Sequence, residues 1–335
     1  MGDVSGGSEL ALAPEALLEL ARGQEERQKP GDALLSYYRA IIESQRRGLW
    51  RDKSTTPPEL LGRVTYAMRY VKAGRGRVFR EAVEPVMQQH GRDALARFDR
   101  CLANLLGERR EELPDVRQRP SILFFPGLPA TPYFSRDDLP WLESLERETD
   151  AIRAELLAAM PREGVGERVF DSDAAESQGL AGRDGAPSWS GIYFYRHGER
   201  RQESHALCPH TAAVLESLPL ARIREHAPEV MFSVLAPGSH ILPHRGVTNT
   251  RAVCHLPLVV PEDCALVVGG ERHAWREGRA VAFDDTYEHE AWNRGARTRV
   301  VLILDVWNPH LTPAERDAVA ALVAAMGDFN RAAGV

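Results

Sequence analysis

The chain has 335 residues, 43% of them hydrophobic and 27% charged, with a formal net charge of -6 and a pI near 6.0. That length is enough for two domains, each burying a core of its own. The acidic balance argues against a nucleic-acid surface, which calls for a concentrated excess of Lys and Arg. The short Arg clusters SQRRGLWR and HGERRQ read as solvated faces. Cys101, Cys208, Cys254 and Cys264 form no CxxC pair and no zinc-like spacing, so free thiols in a reducing compartment are expected. The N-terminal stretch MGDVSGGSEL has no apolar run to act as a signal, and Gly6 does not fit a myristoylation site. No segment approaches roughly 18 uninterrupted apolar residues. A cytoplasmic protein with no membrane span and no nucleic-acid partner is the expectation.

The first 115 or so residues read as helices. PEALLELARGQ, GDALLSYYRAIIESQRRGLW, PELLGRVTYAMRYVKAG, RVFREAVEPVMQQHG and RDALARFDRCLANLLG space their large apolar residues at three and four, with Gly or Pro between them. The faint likeness of DALLSYYRA to DALARFDRC fits tetratricopeptide-like helical hairpins, while the uneven period fits an irregular bundle. A linker follows, where Pro114, Pro120, Pro126, Pro129 and Pro132 fall within nineteen residues. The spacing then predicts one helix over LPWLESLERETDAIRAELLAAM and a polar loop from Pro161 to Pro187. From Trp189 the pattern changes to strands: GIYFYRHG, VMFSVLAPG, TRAVCHLPLVVP, CALVVGGE, RAVAFDDTYEHEAWN and TRVVLILDVWN. Only PHTAAVLESLP among them reads clearly as a helix. Short strands without crossover helices favour an antiparallel sandwich or barrel. The expected organisation is α+β, with a helical domain over 1–115, a linker, flanking helix and loop over 116–188, and a strand-rich core over 189–335.

Three features of the core ask for one explanation. His244 follows a strand and a Pro-Gly turn, where its ring can point into a barrel mouth. His289 lies on or near another strand, among Asp284, Asp285, Glu288 and Glu290. Arg299 sits in the largely apolar TRVVLILDVW, and a guanidinium beside a buried strand needs an anionic partner. Alone, each residue has an ordinary reading: a His in a polar loop is usually a surface group, as for His240, His273 and His310, and Arg299 pairs with a neighbour such as Asp284. Together, two His and an Arg on separate strands fall in the order that a cupin-type iron site uses. The Arg then clamps a carboxylate cosubstrate through its planar fork. Ser233 is placed to add a hydroxyl donor to the same carboxylate, and His255 to contact its other end. The usual third ligand of such a site, an acid two residues after the first His, is absent here, since that position is Gly246.

The stretch PGSHILPHRGVTNTRAVCHLPLVVPEDCALVVGGERHAWREGRAVAFDDTYEHEAWNRGARTRVVLILDVWNPHLTPAER resembles the aspartyl/asparaginyl β-hydroxylase family of 2-oxoglutarate-dependent oxygenases. The resemblance extends from about Ser121 to Pro313. It implies a double-stranded β-helix (jelly-roll, cupin-type) fold and the use of Fe(II), 2-oxoglutarate and O2. It implies metal ligation by His244 and His289, with the cosubstrate's distal carboxylate at Arg299 and Ser233 and its other carboxylate near His255. Animal members of the family carry glycine at the place of Gly246. The sequence departs from the family at Val253, where those members carry an Arg for the cosubstrate; Arg251, on the same strand face, either replaces it or contacts substrate. The paired cysteines of secreted-pathway members fall at His205 and Ala212, and Gly191 stands where those members use a polar side chain near substrate. The implied reaction is hydroxylation of an unactivated C-H, foremost the β-carbon of an Asp/Asn-type residue in a peptide, protein or amino-acid derivative. Two other readings stay open: a chloride-using halogenase on the same scaffold, and a non-catalytic helical-repeat interaction protein with a vestigial barrel.

Overall fold

A computed structural model describes residues 12–160, 166–170, 172–182 and 188–335. Residues 1–11 and parts of the expected polar loop lie outside them. The chain divides into two compact units, Met1–Pro85 with Ala325–Val335, and Val86–Ala324.

In the first unit, α1 (Pro14–Glu26) and α2 (Pro30–Arg46) both start on a proline, whose missing N-H is harmless in a first helical turn. They pack through Leu17, Leu18 and Ala21 on one side and Ala33, Leu34, Tyr37 and Ile41 on the other. The two helices expected across Gly74–Gly76 are one continuous helix, α3 (Leu61–His90). A Cβ at Gly74 would lie 2.4 Å from Leu34 Cδ1, so this glycine permits a close helix crossing instead of ending a helix.

In the second unit, a short 3-10 turn (Asp93–Leu95) leads into α4 (Ala96–Leu105). The stretches DALLSYYRA and DALARFDRC thus fall in different units. The single helix expected from Leu139 to Met160 is two, α5 (Leu142–Arg147) and α6 (Thr149–Ala159), broken at Glu148. The polar loop contains β1 (Glu167–Arg168), α7 (Asp173–Gly179) and β2 (Leu180–Gly182), elements too short to show a period. Next come β3 (Trp189–Arg196), β4 (Glu199–Arg200), α8 (Gln202–Leu207), α9 (Pro209–Glu216), β5 (Val230–Leu235), β6 (Ser239–His244) and β7 (Arg251–Val259). The chain continues through β8 (Cys264–Val268), β9 (Glu271–His273), β10 (Val281–Phe283), β11 (His289–Asn293) and β12 (Arg299–Trp307) to α10 (Pro313–Ala333), a helix not expected from the sequence. Gly269 and Gly270, at φ 59° and 83°, make the two-residue turn between β8 and β9, where both positions need positive φ.

Every pairing between named strands is antiparallel, in two sheets that form the double-stranded β-helix. The larger is ordered β1-β3-β5-β12-β7-β10 with β4 on the edge of β3; the smaller is β2-β6-β11-β8-β9. Side chains alternate between two environments. One face of the large sheet sends Phe232, Cys254, Leu256, Leu302 and Leu304 into a core shared with α5, α6 and α9. Its other face joins Ile241, Leu266, Val268 and Ala291 of the small sheet around Leu235, Phe283 and Val301. On β12 that inner face begins with Arg299 and on β7 with Arg251, so charge stands where alternation calls for apolar residues. Such a breach of pattern is typical of a functional site.

The turn that carries the chain from β6 to β7 is held by Asn249. Its side-chain amide accepts from Phe125 N at 2.8 Å and donates to Phe125 O at 2.9 Å, all buried. Asn249→Ala strands two buried backbone groups and is expected to lower unfolding free energy by about 2–3 kcal/mol. A urea titration should show a lower midpoint at unchanged slope; a midpoint equal to wild type would show that the turn is held by other contacts.

Candidate active site

Pairing of β6 with β11 sets His244 directly opposite His289. Their ring centroids are 4.0 Å apart. Each ring is tethered in the same way: His244 Nδ1 lies 2.8 Å from Leu242 O, and His289 Nδ1 lies 3.0 Å from Tyr287 O. A carbonyl oxygen only accepts, so each Nδ1 carries a proton, and a ring in its neutral form keeps its lone pair on Nε2. Burial and the neighbouring His244 pull His289 down to about 4, so it is neutral at pH 7. Two imidazoles tethered at Nδ1 in this way can offer Nε2 donors to a metal ion. Among the described residues no group of three or more His, Cys, Asp or Glu is arranged to hold a metal ion.

Arg299 is 1% exposed. Its Nη1 lies 3.4 Å from Ser233 Oγ, its guanidinium stands over the Trp275 ring at 5.0 Å, and its Nε has no partner among the described residues. Burial lowers its pKa to about 10. The acid that sequence offered as its partner is engaged elsewhere: Asp284 accepts from Gln118 at 2.6 Å and from Thr286 N and Oγ1. Ser233 accepts from Trp189 Nε1 at 2.9 Å, which leaves the serine O-H free to donate. His255 is held well below its ordinary pKa by burial and by Arg299, so it too is neutral, and its Nδ1 has no partner among the described residues.

One cavity of about 250 Å³ is lined by all six residues singled out from sequence: Ser233, His244, Arg251, His255, His289 and Arg299. Arg251 shares the cavity but is not a free cation, since its Nη1 pairs with Asp305 Oδ2 at 2.6 Å. Trp189, Trp275 and Asp305 have no role in the sequence reading, whereas Asp285 is there one of three acids, with Asp284 and Glu290, expected to order a water or a histidine ring at the site. Trp275 lies in a turn without period, the position of Asp305 follows from the register of β12, and that of Asp285 from the β10–β11 turn. Gly191 has no room for a side chain, because its Cβ would come 2.7 Å from Met231 Sδ and 2.9 Å from the Tyr193 ring.

At Gly246 an added Cβ would fall 2.1 Å from Asp285 Cγ and Oδ2. The Gly246 N-H also donates to Asp285 O at 2.6 Å. The space that a side chain at 246 would enter is therefore filled by a carboxyl group from the β10–β11 turn. Burial pushes that carboxyl up to about 7, with Arg251 opposing the shift, and its Oδ1 has no partner among the described residues.

Comparison with known proteins places these residues among hydroxylases. The family described as Aspartyl/Asparaginyl beta-hydroxylase matches residues 146–309. Aspartate beta-hydroxylase domain-containing protein 2 of Mus musculus is 32% identical over 258 residues, 76% of this chain and 67% of its own length. The aspartyl/asparaginyl beta-hydroxylase of Homo sapiens is 33% identical over 221 residues, 65% of this chain and 28% of its own. An ornithine lipid ester-linked acyl 2-hydroxylase of Rhizobium tropici is 33% identical over 186 residues, covering 55% of this chain and 63% of its own. The chain thus spans only part of each of these relatives.

A side chain placed at 246 must displace Asp285. Gly246→Asp is expected to destabilise the metal-free protein by about 1–3 kcal/mol, as overpacking does. Combining it with Asp285→Ala should recover much of that loss in a denaturant titration, while strict additivity of the two changes would show that the groups do not compete for one space.

Proposed function

Because the chain belongs to the aspartyl/asparaginyl β-hydroxylase family, we propose that it hydroxylates an unactivated C-H with Fe(II), 2-oxoglutarate and O2. The observation that supports this most is a single one: His244 and His289, register-paired and tethered at Nδ1, share a cavity with a buried Arg299 that has no carboxylate partner. When bound, iron, O2 and 2-oxoglutarate supply the oxidation, one oxygen atom going to the substrate carbon and the other to the succinate formed with loss of CO2.

The chain's own residues do the rest by holding groups in place. His244 and His289 present Nε2 to the metal, and their carbonyl tethers set the ring angles. Arg299 and the free O-H of Ser233 take the distal carboxylate of the cosubstrate, and Trp189 orients that hydroxyl. His255, neutral and carrying one N-H, hydrogen-bonds the cosubstrate's other end without adding charge. Val253 supplies no charge there, and Arg251 is committed to Asp305. In this reading Arg251 does not replace the missing Arg and serves the wall that faces substrate. Asp285 fills the space that a side chain at 246 would enter and would order water beside a metal held by the two histidines. A carboxyl group in that place disfavours a halide, which supports hydroxylation over halogenation.

The substrate is an Asp/Asn-type residue in a peptide, protein or amino-acid derivative. The apolar filling around Gly191 by Met231 and Tyr193 points to a pocket rim shaped differently from one with a polar residue there. All four cysteines are buried and none is in a disulfide, which supports the cytoplasm as the compartment. Among the described residues no helix is long and apolar enough to cross a membrane.

Purified protein is expected to form succinate from 2-oxoglutarate only with Fe(II), to stop on chelation, and to fall to background in His244→Ala or His289→Ala. A protein that binds no iron and turns over no 2-oxoglutarate would refute the reading and favour a vestigial barrel. Arg299→Ala should raise the KM for 2-oxoglutarate by about 30-fold or more, since it leaves a buried carboxylate unpaired. Arg251→Gln should change that KM by less than about 3-fold while lowering stability, because its partner is Asp305 and not the cosubstrate. Equal KM effects of the two substitutions would return Arg251 to the cosubstrate.

A further inference from the structure

The first unit holds a second cavity, of about 380 Å³, lined by residues of α1, α2 and α3. The carboxylate of Glu25 is part of its lining. Tyr37 Oη donates to Glu25 Oε2 at 2.7 Å and Tyr66 Oη donates to Glu25 Oε1 at 2.8 Å. Tyr70, one helical turn beyond Tyr66, completes a group of three rings whose centroids are 6.0, 5.3 and 6.1 Å apart. Burial and the bond to Glu25 raise the Tyr37 phenol, and the bond to Glu25 raises that of Tyr66, so both stay protonated donors at neutral pH.

Glu25 lacks a cation. The two arginines at the rim are turned to other acids, Arg22 to Glu26 at 3.1 Å and Arg63 to Glu19 at 2.7 Å. Among the described residues no Lys, Arg or His pairs with Glu25. Its place in the chain adds to the imbalance: Glu25 lies in the last turn of α1, where no basic residue stands and the helix dipole disfavours an anion. A carboxylate fixed at both oxygens by neutral donors, walled by tyrosine rings and by Leu18, presents negative charge and π faces toward a cavity open to solvent.

We infer that this cavity binds an alkylammonium group such as the end of a lysine side chain, with Glu25 as counter-ion, the tyrosine rings as cation-π faces and Leu18 against the aliphatic stem. The group comes either from a polypeptide or from a free amine. The site is separate from the proposed hydroxylation chemistry and does not depend on it.

Ligand-observed NMR titration of the full chain tests the assignment, with Nα-acetyl-lysine methylamide as probe and its Nε-acetylated form as the neutral control. The charged probe is expected to bind at least about 5-fold more tightly than the neutral one. Glu25→Gln, which keeps an acceptor oxygen for one phenol and turns an N-H toward the other, whose Oη accepts it, should remove that preference in a chain that still folds. Equal binding of the two probes to the wild-type chain overturns the proposal whether or not the variant folds, and so does a preference that survives in a folded Glu25→Gln. Tighter binding of the peptide Gly-Lys-Gly than of butylammonium assigns a polypeptide source; the reverse assigns a free amine, and either supports the site.

Discussion

A guanidinium buried to 1% exposure with no carboxylate beside it is costly to fold, and strands from across the large sheet converge on it. Arg299 opens β12, the strand between β5 and β7 in the large sheet. β5 brings Ser233 to it, β3 brings Trp189 to Ser233, and the turn before β10 brings the face of Trp275. These contacts are weaker than an ion pair. Arg299 therefore remains a preformed half of one, held rigid by helices packed on the far side of its sheet. Rigid placement of an uncompensated charge lets a small anion be bound without reorganisation, because the protein has met the desolvation cost in folding.

The histidine pair obeys a related logic. Antiparallel register puts His244 and His289 on neighbouring strands at one level, and two carbonyls fix which nitrogen of each ring is protonated. Nothing in the pair depends on a third protein ligand. Gly246 leaves room for the Asp285 carboxyl to occupy the space beside them, so an acid is present near the site although it is not where the local sequence would put it. The exchange of a ligand's position for a neighbour's is possible because strands distant in sequence meet at the open end of the sandwich.

Arg251 shows why residue type and strand face do not settle a role. It points into the same cavity as Arg299, yet the Asp305 carboxylate at 2.6 Å absorbs its charge, while Arg299 has no such neighbour. The two arginines thus differ in available charge, and only one is suited to gripping an anion. Glu25 in the helical unit is the opposite case, an anion with neutral donors only.

The period-two runs from Trp189 onward and the three-four spacing of α1 and α2 were readable in the chain because those elements bury one face and expose or oppose another, which writes a period into the residues. The joint presence of His244, His289, Arg299, Ser233, His255 and Arg251 was readable too, and all six line one cavity. Elements whose limits depend on a partner were not readable. Gly74 looked like a helix break until Leu34 was seen to pack on it, β2 exists only as an edge for β6, and Glu148 divides a helix whose spacing runs through it. By itself the sequence determined the longer strands of the core, six of the polar residues that line its cavity and the family to which the chain belongs. The tertiary structure alone decided which charges are spent and which are free, placing Asp305 against Arg251 and Asp285 into the space at Gly246 while leaving Arg299 unpaired. Charge compensation acts over a few ångströms in space, and no local period in the chain records which distant residues will come that close.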